Sequence, residues 1–164
     1  MSKHSSHEFS CRLSWTGASL GGTTSYSAYS REYLVEFDAK PAIKGSSAPA
    51  FRGDPALCNP EDLLVASLSA CHCLSYLALC ALGGVNVVGY SDAAWGKMEK
   101  VEGVMRFTGV VLRPSVLIAL GGSLERARAL HEEAHRQCFI ASSVNFPVKN
   151  QPDVRFAALA SSTE

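Results

Sequence analysis

The alternation of apolar and polar side chains changes period several times along the chain, and each change marks an element. Phe9, Cys11, Leu13 and Trp15 alternate with polar neighbours, the period-2 pattern of a half-buried strand. A glycine-containing segment, 16–24, turns the chain. Tyr33, Val35 and Phe37 then resume the alternation and predict a second strand over 29–37. From Ala39 to Cys58 proline and glycine interrupt every run, so a loop of about twenty residues is expected, a length that usually serves function. Asn59-Pro60-Glu61-Asp62 offers a helix cap, a proline at the first helical position and two acids in the first turn. The apolar run that follows ends at Gly83-Gly84, which predicts a helix over 60–82. It is apolar nearly all round, the mark of a buried central helix. Valine- and aromatic-rich runs predict strands over 85–95 and 104–114, and a turn between Met98 and Gly103 makes a hairpin. Ser123 caps a second helix, 124–137, where Ala127, Leu130, Ala134 and Cys138 recur at helical spacing and should face the first helix. A short helical or turn segment near 140–144 leads to a last strand near 154–159. Strands, helix, strands, helix, strand make an α+β domain. The polar segment 1–8 is expected to be disordered, with a single domain over 9–160.

Composition narrows the function classes. At 164 residues and 47% apolar, the chain is large enough for a substantial core. The formal net charge is zero and no run of Lys or Arg forms a patch, which argues against a nucleic-acid partner. No stretch reads as long and apolar enough to cross a bilayer, and the N-terminal residues lack an apolar h-region. A cytoplasmic address without membrane contact is therefore expected. Six cysteines, at 11, 58, 71, 73, 80 and 138, then read as catalytic, redox, metal-binding or buried thiols rather than a disulfide framework.

Helical geometry constrains three of them. Cys71 lies on a different side of the first helix from Cys73 and Cys80, and those two, on one face, are about 10 Å apart along the axis. No pair within this helix forms a disulfide. A partner for Cys71 has to come from elsewhere, and Cys138 at the end of the other helix is the foremost candidate. His131-Glu132-Glu133-Ala134-His135 also matches H-E-x-x-H, and with Cys138 one turn on it sketches a zinc site. The pattern is short and its flanks supply no further clear ligand, so a solvated helix face is the plainer reading.

Four stretches together resemble one known family. They are Ala50-Phe51-Arg52-Gly53-Asp54-Pro55, Asn59-Pro60-Glu61-Asp62-Leu63-Leu64, Ser69-Ala70-Cys71-His72, and the run from His135 through Cys138 to Pro147. In order and spacing, from about Phe9 to Pro152, the chain resembles the OsmC/Ohr family, in particular its peroxiredoxin-like OsmC subgroup. The resemblance implies an OsmC-like α+β fold, with antiparallel sheets packed on a buried central helix. It also implies protomers interlocked as a homodimer with two active sites at the interface. It makes Cys71 the peroxidatic thiol, Cys138 the resolving thiol and Glu61 the active-site glutamate. Arg52 is the best match to the family's arginine, with Arg31 as the alternative.

The residue types suit the chemistry so implied. A free thiol is mostly protonated at neutral pH, and a permanent cation beside it favours the thiolate. Thiolate attack on an organic hydroperoxide gives an alcohol and a sulfenic acid, which a second cysteine converts to a disulfide. An external dithiol then restores both thiols. No metal, flavin or haem is called for. Phe139 departs from the proline that often follows the family's second cysteine. The alternatives are a non-catalytic binding or stress protein on the same fold, or a zinc-dependent hydrolase using His131 and His135.

Overall fold

The computed structural model describes residues 6–158, which divide into two compact units that part after Leu63. The strand expected near the N-terminus is present but begins only at Arg12, and its residues are all exposed within one chain rather than alternately buried. In the first unit β1 (Arg12–Trp15) pairs antiparallel with β2 (Tyr33–Phe37), and β2 with β3 (Lys40–Gly45). β3 lies within the stretch expected to be loop. It folds back through a tight turn in which Ala39 has φ of 53°. Pro41 is tolerated because β3 is an edge strand, where a missing N–H breaks no ladder. Of the segment expected to be disordered, residues 1–5 lie outside the described residues, and 6–8 are exposed without regular secondary structure.

The rest of the expected loop is irregular and tied in place. The Ser46 N–H donates to Cys58 O at 3.0 Å, and the Asp54 N–H donates to Ser46 Oγ at 3.1 Å. Gly53 is required here, since a β-carbon on it would stand 1.6 Å from the Ser47 carbonyl oxygen. Arg52 is held left-handed, with φ of 67°, just after a 3-10 turn over Pro49–Phe51.

Helix α1 (Pro60–Leu82) starts with the cap read from sequence. Asn59 Oδ1 accepts from the Asp62 N–H at 2.9 Å, and Asp62 Oδ2 accepts from the Asn59 N–H at 3.2 Å, a reciprocal capping box. At the other end Gly84, at φ of 71°, lets the Val85 N–H reach Cys80 O at 2.8 Å, closing a Schellman turn. The buried residues of α1 are Leu68, His72, Tyr76 and Cys80, a single stripe at every fourth position. Leu74 is 69% exposed and Leu82 is 86% exposed, so within one chain the helix is not covered all round. At 23 residues and a mean hydropathy of 1.8, α1 is by length and composition long and apolar enough to cross a membrane. The expectation that no stretch is so is corrected on that point.

The second unit continues with β4 (Val87–Asp92), β5 (Trp95–Val101), β6 (Val104–Leu112), β7 (Pro114–Ile118), α2 (Leu124–Gln137), β8 (Val148–Asn150) and β9 (Asp153–Phe156). The expected strand over 85–95 is broken after β4, and Trp95 opens β5. The hairpin turn is narrower than expected, with Glu102 and Gly103 both at positive φ, as a two-residue turn demands. β7 and β8 were not expected. One sheet runs β4-β7-β9 and the other β5-β6-β8, each with an antiparallel pair and one parallel edge strand. The α+β class holds. The α1 stripe, the buried face of α2 and the first of these sheets share a core of Tyr76, Cys80, Val116, Ile118, Leu130 and Val154.

Candidate active site

Cys71 sits near the middle of α1, half-buried, and Cys138 caps the C-terminus of α2, buried. The two thiols meet: the Cys138 S–H donates to the Cys71 sulfur. Of the cysteines that sequence left open, Cys138 is therefore the partner that the fold delivers. A tight turn follows it, in which the Ser142 N–H and hydroxyl both donate to Cys138 O at 3.0 Å. The N–H groups of Ala141 and Ile140 point at the Cys138 sulfur. Burial, and then the bond to Cys71, push the Cys138 thiol up to about 11, against the pull of those N–H groups. Cys138 thus keeps its proton at neutral pH.

Beneath the thiols lies a polar cluster that sequence reading did not find. His72 and His131 are 0% and 1% exposed. His72 Nε2 stands 3.1 Å from His131 Nδ1 and 3.2 Å from Asn150 Nδ2, so the three side chains join α1, α2 and β8. The imidazoles stack at 5.4 Å between centroids, and Tyr76 stacks on His131 at 3.7 Å. The Tyr76 hydroxyl donates to Ala127 O at 3.1 Å. His72 Nδ1 and His131 Nε2 are buried without a partner. Both rings are held neutral: burial, with His135 adding, lowers His72 to about 4 against the pull of Asp92. Burial, and then His72, lower His131 to about 3. The available signal was that His72 occupies the apolar stripe of α1, four residues from both Leu68 and Tyr76.

The H-E-x-x-H segment is accounted for by the same cluster. His131 faces His72 from the core rather than forming part of a solvated face. Among the described residues no three His, Cys, Asp or Glu side chains gather to hold a metal ion. The remaining α1 thiols are less suited to attack. Burial, with Asp92 adding, raises Cys73, and burial raises Cys80 despite its bond to Tyr76.

Glu61 and Arg52 belong to the first unit. Glu61 lies in the first turn of α1. Its Oε2 is buried without a hydrogen-bond partner, as is the Tyr33 hydroxyl near it. Of the two arginines, Arg31 is committed locally. Its guanidinium lies 3.8 Å over the Tyr29 ring and donates to the Tyr29 and Tyr26 carbonyls. Arg52 is exposed, with no ion pair or hydrogen bond from its guanidinium among the described residues.

Residues 53–152 match the model of one protein family, described as OsmC-like protein. The chain is similar to the structure of an OsmC-like protein of unknown function from Vibrio cholerae, with 33% identity and a TM-score of 0.82 over 90% of this chain and 100% of that one. It is also similar to an organic hydroperoxide resistance protein from Elizabethkingia anophelis, with 18% identity and a TM-score of 0.70 over 93% of this chain and 100% of that one. A Legionella pneumophila protein of the same description gives 18% identity and a TM-score of 0.66, over 90% and 96% of the two chains. At such identity these last two show likeness of fold. No curated protein matches the sequence.

Proposed function

The chain belongs to the OsmC-like protein family, and on that premise we propose that it is a thiol peroxidase that reduces organic hydroperoxides to alcohols. The observation that carries this reading is the hydrogen-bonded pair of Cys71 and Cys138, with Cys138 buried and holding its proton. Cys71 attacks the distal peroxide oxygen as thiolate, the O–O bond breaks, and the alkoxide leaves as alcohol once protonated. The product is a sulfenic acid on Cys71. Cys138 attacks that sulfur, water leaves, and the Cys71–Cys138 disulfide awaits an external dithiol. Arg52, whose guanidinium is uncommitted, and Glu61 take the family's arginine and glutamate roles by resemblance.

Two further expectations accompany the reading. The protein acts as a homodimer, which the exposed apolar side of α1 supports. It acts in the cytoplasm, where six free thiols remain reduced.

The test is consumption of an alkyl hydroperoxide by the reduced protein, with a dithiol present. The expected result is turnover by the parent, none by Cys71→Ser, and a single turnover that stalls in Cys138→Ser. Undiminished activity in both variants sinks the mechanism. If the parent leaves the peroxide untouched and both thiols reduced, the protein is instead a non-catalytic member of its fold.

A further inference from the structure

We propose that His72 and His131 are positioning residues for the thiol pair: their contact fixes the register of α1 against α2 at the point where Cys71 meets Cys138. The proposal rests on the peroxidase reading for the use of the pair, but not for its geometry.

Three contacts run between the same elements in order. Cys71 meets Cys138, His72 meets His131, and Tyr76 meets the carbonyl of Ala127. As the numbers rise on α1 they fall on α2, so the helices are antiparallel. The histidine and tyrosine contacts are rungs on the buried stripe, and the thiol contact lies beside the histidine rung, since Cys71 directly precedes His72 on α1. The two rungs are matched. Four residues separate His72 from Tyr76 and four separate Ala127 from His131, about 6 Å of rise on each helix. Cys138 lies seven residues beyond His131, almost on the same face, where α2 gives way to its terminal turn.

Chemistry favours a positioning role over simple packing. Apolar contacts are non-directional, and a leucine pair would fill the same space while allowing the helices to slip. A hydrogen bond between ring atoms accepts only a narrow range of distance and angle. A buried polar pair costs desolvation that an apolar pair avoids, and fixing register is the best attested return for it. A disulfide is also exacting, needing β-carbons within about 3.5–4.5 Å of each other. The rung adjacent to the thiols should therefore govern closure of the bridge and leave attack on an external oxidant nearly unchanged. Asn150, against His72 from β8, holds the pair from its third side.

The experiment equilibrates the full-length protein with dithiothreitol buffers and measures the Cys71–Cys138 bridge by alkylation and mass mapping. Two electrons and two protons pass from the protein thiols to oxidised dithiothreitol as the bridge forms, so no peroxide is needed. His131→Leu should weaken the bridge about tenfold, a shift of about 30 mV to a less negative potential. His131→Asn, whose amide nitrogen replaces Nδ1, should return it to within about twofold of the parent. Loss of packing alone would not be repaired by the smaller asparagine.

A folded leucine variant with the parent potential overturns the proposal, as does an asparagine variant no better than leucine. Should the leucine variant fail to fold, Asn150→Ala decides from a half-buried position. It is expected to weaken the bridge about threefold, and an unchanged bridge overturns the proposal. A parent that forms the bridge but consumes no hydroperoxide refutes the peroxidase reading alone. A parent that forms no bridge at any potential overturns both.

Discussion

The two buried imidazoles are the residues through which this chain should sense acid. Each ordinarily titrates at 6.5, and the fold lowers His72 to about 4 and His131 to about 3. Between those limits the unfolded chain takes up protons that the folded chain refuses. The contribution of each ring to stability is therefore complete above 6.5. It is lost as the pH falls, down to about 4 for His72 and about 3 for His131. The slope approaches about 1.4 kcal/mol per pH unit for each ring. Urea midpoints measured from pH 7 to pH 4 should fall steadily for the parent and more gently for His131→Leu. Parallel curves would show that His131 does not resist protonation. Cys138 is unaffected in this range, because its thiol stays protonated well above neutrality.

At the scale of elements, the capping box of α1 is the most local device in the fold. Asn59→Ala removes the acceptor for the Asp62 N–H and should cost about 1 kcal/mol, read as a lower denaturant midpoint with an unchanged slope. The same cap was legible in the sequence because Asn-Pro-Glu-Asp signals a helix start without help from the rest of the chain. Ser123 and α2 were legible for the same reason, with Ser123 Oγ accepting from the Arg126 N–H at 3.1 Å. β3 was not, because an exposed edge strand with proline and glycine carries no alternation to read. β8 is three residues long, and no period can be read from so few. The meeting of Cys71 and Cys138 was available by resemblance, since helical geometry excluded partners on α1 without selecting one elsewhere. His131 was obscured by its neighbours: Glu132 and Glu133 make the segment look solvated, although His131 lies one turn from Ala127 on the face that the sequence already marked as inward.

At the scale of the whole molecule, α1 buries one stripe, carries Cys71 beside it and leaves Leu74 and Leu82 exposed. Light scattering at micromolar concentration should report a mass near twice the 17.5 kDa of one chain. A mass near that of one chain would rule out the homodimer. An exposed apolar helix of this length has a consequence for how the protein persists. If a second copy shields those leucines, association and folding become one equilibrium, governed by mass action. The melting temperature should then rise with protein concentration, and dilution alone should unfold the chain. Reserves of the protein would protect themselves, and the first molecules made after a period of scarcity would be the most fragile.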